Sequence, residues 1–351
     1  MRSDASVEIV NAVLRWLVCE LDGTDPATTG SAADRRKRIQ FFDPFVAGPN
    51  DAAPDRSVRL DRMFAETCPR FDPQPFQRLT SLAQFCMVCV SGQCGALSSG
   101  IGEVIAFLSE VLSRPCLRDR VERDPVFFPF YLQAYVALER CGRKDPAQRM
   151  VLQRFLDRGH PTAVERSVHE QMELRFWLDL GRYKHDLPAM DALFEWSPLA
   201  SERAGHLLLA EPAITFRTLA FLRYWGLRPV PPLPPGRLRA LRSAVAAELG
   251  MAVMARRWEL TAQLLLACQW LGWEPPIVHG LASAALVRAR RADGSFPGFD
   301  WSAERSRALS GTARARYDLD QNYTATLAAG LAACSGALLT PLSDSDERNA
   351  A

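Results

Sequence analysis

Three kinds of side-chain grouping in this chain have types and spacings that could do chemistry. Glu165, His169 and Glu173 stand four residues apart, so on one helix they would share a face and offer a divalent metal three ligands. The same column, with Arg166 and Arg175 beside it, is also what a solvated, ion-paired helix face looks like. Cys86-Met87-Val88-Cys89, with Cys68 before it and Cys94 after, has the spacing of half a zinc site. No second such pair exists, and the flanking Phe85 and Val90 make these cysteines read as packed thiols, so no metal is expected. The third group is polar: Glu259, Gln263 and Gln269 interrupt an apolar run from Trp258 to Trp270, and Arg217 follows Thr215 in another. On buried helices such residues need partners or water, which makes Glu259 and Gln263 expected cavity-lining groups and Arg217 an expected anchor for an acidic ligand. Tyr131, within Phe127-Phe128-Pro129-Phe130-Tyr131 and with Tyr135 four residues on, is an expected wall of the same cavity, although aromatic residues at helical spacing also build cores.

These residues need elements to position them, and almost all the text after residue 80 reads as helix. Apolar side chains at Val7, Val10, Leu14, Leu17, Val18 and Leu21 predict an amphipathic first helix, with Ser6 as its cap. Residues 24–77 are broken by Asp-Pro, Gly-Pro-Asn-Asp and Phe-Asp-Pro, and predict an irregular loop or lid with one short helix near Val58 to Glu66. Beyond it, apolar helices close on Gly142, Gly181, Gly226 and Gly272, and Pro146, Pro229 and Pro275 follow three of these glycines. Glycine there supplies the left-handed residue after a helix, and proline forbids continuation. The glycines recur about every 40 to 46 residues, room for two helices and a turn each, so the expected fold is all-α, built of stacked helical hairpins. Such hairpins either close into an α/α toroid round a cavity, the reading adopted, or run open as a solenoid with a concave binding face. Residues 1–340 read as a single domain, with 341–351 as a disordered tail.

Composition limits the partners. With 42 basic and 40 acidic residues the formal charge is +2, so nucleic acid is not expected. All but three of the basic residues are arginines, which suggests a GC-rich bacterial source. The nine cysteines fall mostly in apolar runs, Met1 to Glu8 has no apolar segment behind a basic start, and no run is long enough to cross a bilayer. A cytoplasmic protein without organic cofactor is expected.

The last 60 residues carry a resemblance. Ala292-Asp293-Gly294-Ser295-Phe296 followed by Tyr323-Thr324-Ala325-Thr326-Leu327-Ala328-Ala329-Gly330-Leu331 resembles the turn and inner helix of the α/α toroids of terpenoid cyclases and prenyltransferases. The glutamine usual before that turn is replaced by a region holding Arg288, Arg290 and Arg291. Thr215 to Gly226 and Tyr323 to Thr326 also look like segments of toroid-like actinobacterial proteins from natural-product gene clusters, with Arg217, Tyr224 and Thr324 where that group has His, Asp and His. Asp318-Leu319-Asp320-Gln321 is similar to the Asp-x-Asp-Asp of class II terpene cyclases, which implies Asp320 as an acid that protonates the substrate. Without the resemblance, Asp318 and Asp320 read as carboxylates in the first turn of a helix, favoured by its dipole. The resemblance covers about the last 140 residues. It implies a bacterial enzyme of specialised metabolism that holds a mainly apolar small molecule or carrier-bound intermediate in the ring and promotes cyclisation or rearrangement. Asp320, Tyr323 and His169 are its expected catalytic residues. The alternative is a non-catalytic repeat that presents its surface to a partner protein.

Overall fold

The structure is a computed structural model that describes residues 4–22, 74–91, 98–113, 115–197, 235–270 and 276–335. Every regular element among the described residues is helical, so the fold is all-α. In chain order the helices are α1 (Asp4–Asp22), α2 (Gln74–Ser91), α3 (Ser98–Leu112), α4 (Pro115–Arg123), α5 (Phe128–Arg140), α6 (Pro146–Asp157), α7 (Val168–Gly181) and α8 (Met190–Trp196). They continue with α9 (Pro235–Met254), α10 (Trp258–Trp270), α11 (Pro276–Ala289), α12 (Ala303–Ala308) and α13 (Gly311–Ser335). A single-turn 3-10 helix, Pro125–Phe127, leads into α5, and none of the helices is long and apolar enough to cross a membrane.

Local chemistry sets the ends. Asp145 caps α6 by accepting from the amides of Ala147 (2.9 Å) and Gln148 (3.3 Å), with Pro146 in the first position, where its missing N–H costs nothing. Ser167 and Glu170 form a reciprocal capping box at the start of α7. Gly142 ends α5 with φ +86° and the Arg143 amide bonded back to the Leu138 carbonyl, the role expected of it. Gly181 has a different role. Arg182 takes the left-handed conformation (φ 56°), and Gly181 is the last helical residue; a Cβ there would lie 2.6 Å from the Tyr183 ring and 2.8 Å from Val136. It is glycine because α5 and Tyr183 press on it. Gly226 and Gly272 lie outside the described residues, as do the short helix expected near 58–66, most of 24–77 and the tail. Two further expectations shift: α1 starts at Asp4, which places Ser6 inside it and buried, and α2 starts at Gln74, within the stretch read as irregular.

The helices α7, α5, α2, α13 and α10 run parallel to their neighbours in that series. Between α2 and α5, the Thr80 hydroxyl donates to the Phe130 carbonyl (3.1 Å) and the Gln84 amide to Gln133 Oε1 (3.0 Å), so both chains advance in the same direction. Between α2 and α13, the Tyr323 hydroxyl meets Arg78, Gly330 faces Phe85 and Cys334 meets Cys89, again in step. The C-terminal ends of α10 and α13 are joined by Gln269 donating to the Ser335 carbonyl, and these helices pack along their lengths. Arg149 of α6 ties the C-terminal ends of α5 and α7: it donates to both oxygens of Glu139 (3.1 and 3.0 Å), to the Gly181 carbonyl (2.6 Å), and lies 4.5 Å over the Tyr183 ring. Parallel neighbours require a return helix between them, which is the hairpin repeat itself.

The order of contact is therefore α7, α5, α2, α13, α10, α9, with α1 against α3 and α13. In a linear array the last repeat lies farthest from the first; here α13 is seated between α10 and α2 and touches α1. One continuous apolar core runs from Ile9 to Cys334, and Ala325, Ala329, Ala332 and Ala333 let α13 come close to its neighbours. The Arg149 clamp gives a first prediction. Arg149→Ala leaves orphaned helix-end carbonyls and an unpaired Glu139, and is expected to lower stability by about 2 kcal/mol. Denaturant unfolding measures it, and a variant as stable as the parent would show that the two C-terminal ends are not held this way.

Candidate functional site

The expected catalytic residues Asp320 and Tyr323 are brought together on α13, facing α2. One oxygen of Asp320 accepts from Arg78 Nη2 at 2.6 Å, and the other lies 3.7 Å from Arg316 Nε. The Tyr323 hydroxyl donates to the Arg78 carbonyl at 2.8 Å, and the Arg78 guanidinium sits 5.7 Å from the Tyr323 ring centroid. Asp320 keeps 34% of its side-chain surface exposed against 14% for Arg78. Tyr323 is buried, which pushes its hydroxyl well above the ordinary phenol range. Arg78 and Arg316 thus give the Asp320 carboxylate two guanidinium neighbours.

Asp318 is committed to structure. It accepts from Trp301 Nε1 (2.7 Å) and Ser306 Oγ (3.0 Å), with Arg291 and Arg314 within 3.7 Å. Asn322 and Thr326, one and two turns further, take the amides of Gly298 (3.2 Å) and Phe296 (2.9 Å). This polar row on α13 fastens the whole segment from Arg291 to Ser306 along the helix. Within it, Asp293 accepts from the amide and hydroxyl of Ser295, and Gly294 (φ +93°) brings the turn onto α1, where a Cβ would meet the Ala12 carbonyl at 2.6 Å. Because α13 begins at Gly311, Asp318 and Asp320 lie two turns inside it, and neither caps it. Arg78 and the Asn322–Thr326 row went unpredicted. The row was visible as polar residues four apart in an alanine-rich helix, whereas Arg78 depends on which helix packs beside α13.

The other expected residues are dispersed. Tyr131 is buried, and its hydroxyl shares its one hydrogen between the Leu112 carbonyl (3.1 Å) and Gln148 Oε1 (2.7 Å), pinning α5 to α3 and α6; burial raises it far above the usual phenol range. It lies within the apolar core. Glu259 and Gln263 are half-buried on α10 and bonded to each other at 3.2 Å. His169 is half-buried in the first turn of α7, but Glu165 precedes that helix, which starts at Val168, so the column of three ligands does not form. No cluster of three or more His, Cys, Asp or Glu suited to a metal occurs among the described residues. Cys86 and Cys89 are buried in α2, with Cys86 pushed well up by burial, as packed thiols are. Arg217, Cys68 and Cys94 lie outside the described residues.

The helices that carry these groups run the same way, so Arg78, Asp320, Glu259 and His169 fall toward the N-terminal ends of α2, α10 and α7 and the matching level of α13. That end of the bundle has a charged, partly open carboxylate between the half-buried Arg78 and the exposed Arg316. No curated protein and no solved structure matches the chain. The profile of one family, described as a domain of unknown function (DUF6895), matches residues 54–334, from before α2 to the last turn of α13. Since that span takes in most of the chain, the protein belongs to the DUF6895 family.

Proposed function

We propose that the helices close into an α/α ring and that the chain is a bacterial enzyme of specialised metabolism, acting on a mainly apolar small molecule, free or carrier-bound, at the N-terminal end of its inner helices. The observation that carries this reading is the placement of Asp320: a carboxylate left partly open and paired with the half-buried Arg78, whose carbonyl the buried Tyr323 holds. In this reading Asp320 takes a proton from the ligand and returns it at another atom, an isomerisation or cyclisation without cofactor. Arg78 orients Asp320, and Tyr323 positions Arg78 through its backbone. Glu259, Gln263, His169 and Arg217 stand as further groups for ligand contact. Terpenoid-like substrates are the class that the toroid likeness suggests.

Asp320→Asn keeps the shape of the side chain and removes its basicity. Comparative metabolite profiling of cells carrying the parent or the variant is expected to show one apolar compound accumulating with the variant, and purified parent protein is expected to consume it at least about 100-fold faster than the variant. Indistinguishable profiles from equally folded proteins would remove Asp320 from any reaction. A second reading, a protein-interaction repeat, is favoured by exposed Met251 and Met254 on α9 and Ile277 and Leu281 on the adjoining α11. It predicts that charged substitutions at Met254 and Ile277 impair function while Asp320→Asn does not.

A further inference from the structure

At the other end of the inner helices from Asp320, the chain leaving α7 folds back along α6. The side-chain amide of Gln153 holds it there, donating to the Lys184 carbonyl (3.2 Å) and accepting from the Lys184 amide (3.3 Å). Between this strap and the turn after α6 lies a cleft of about 280 Å³, lined by Leu156, Asp157, Pro161, Lys184, His185 and Asp186 among others. His185 has only 6% of its side chain exposed. Its Nε2 lies 3.1 Å from Asp179 Oδ1, and the second oxygen of Asp179 accepts from Arg175 Nε at 2.9 Å. Arg175 is itself fixed by the carbonyls of Leu187 and Pro188. Burial works to raise the Asp179 carboxyl, but its bonds to Arg175 and His185 outweigh that and hold it below the usual carboxylate range.

An ionised Asp179 only accepts, so the hydrogen of the neutral imidazole sits on Nε2 and Nδ1 presents a lone pair. That Nδ1 is buried and has no hydrogen-bond partner among the described residues. A buried acceptor left unmatched costs about 1–3 kcal/mol, which a ligand's N–H or O–H would recover. The charge of the surrounding groups selects between donors: two carboxylates, Asp157 and Asp186, face one ammonium, Lys184, and Leu156, Leu187 and Pro161 supply an apolar wall.

We propose that this cleft is a binding site for a small organic ammonium ion with a short apolar chain, its N–H donated to His185 Nδ1 and its charge met by Asp186 and Asp157. The site is independent of Asp320 and of the reading built on it. Asp179 and Arg175 are positioning residues that set the tautomer of His185.

The test uses the full chain labelled with ¹⁵N-histidine and titrated separately with n-butylamine, n-butanol and butyrate at neutral pH, with the His185 ring signals assigned through His185→Gln. The expected result is a saturable shift of the His185 Nδ1 resonance with n-butylamine, a weaker response to n-butanol and none to butyrate. Asp186→Asn, at an exposed position where folding is not at stake, is expected to weaken the butylamine response about three- to fivefold. No saturable shift with n-butylamine, a stronger response to butyrate, or an unchanged midpoint in Asp186→Asn would each overturn the proposal.

Discussion

Gly298→Ala is expected to destabilise the protein by about 3 kcal/mol or more, read as a fall in the denaturation midpoint or loss of the folded state. A Cβ at this position would stand 1.8 Å from the Gln321 carbonyl oxygen, a backbone atom in the middle of α13 that no side-chain rotation can move away. The chain there is also anchored, because the Gly298 amide is bonded to Asn322 and both neighbouring anchors, Phe296 to Thr326 and Trp301 to Asp318, sit on the same helix. Relief of the clash would have to break that row. The informative control is Gly250→Ala on α9, where an added Cβ meets nothing within 4 Å. In a helix interior that change is expected to stabilise by about 0.5–1 kcal/mol. Opposite signs for two Gly→Ala substitutions would establish that residues 291–306 lie on α13, and a harmless Gly298→Ala would show that they do not.

That segment also marks where the sequence was readable and where it was not. Helical periodicity and the Gly142 and Pro146 stop signals are local, and the helices they predict are present. Gly181 shows the limit of such signals: it sits where a terminator is expected, yet its hydrogen side chain answers to the Val136 and Tyr183 contacts, which belong to packing. Pairing the Asp-Gly-Ser-Phe turn with the Tyr323 helix was possible from likeness alone, since both pieces lie close in the chain. The ion pair of Arg78 with Asp320 spans 242 residues, and no local pattern specifies it. The same holds for His185, which has the look of a surface residue in Tyr-Lys-His-Asp until Asp179 and the fold of the strap bury it. Tyr131 shows the same limit: its place in an aromatic run is legible, but the Leu112 and Gln148 partners of its hydroxyl, which join three helices, depend on packing.

The seating of α13 beside α2 has the largest consequence for the fold, and two thiols report on it. Cys89 and Cys334 are 3% and 0% exposed, and their sulfurs lie 3.0 Å apart near the C-terminal ends of the two helices. Treating the folded protein with diamide is expected to join them: the two thiols lose their hydrogens to the diazene, which becomes a hydrazine, as the S–S bond forms. Burial makes the reaction wait on local opening, so it should be slow and speed up in mild denaturant. The product is a peptide pair linking Cys89 to Cys334, two hydrogens lighter than its parts and absent from Cys89→Ser and Cys334→Ser proteins. Such a link closes nearly the whole described chain into one loop, and the loss of unfolded-state entropy is worth up to about 5 kcal/mol, visible as a higher denaturation midpoint than that of the reduced protein. A ring in which the last inner helix completes the circle requires this crosslink to form within one molecule. In an open array the two cysteines would stand at opposite ends, and oxidation would yield other pairings or links between molecules. Failure to recover the Cys89–Cys334 peptide from oxidised folded protein would therefore overturn the proposed ring, and with it the proposed role of Asp320.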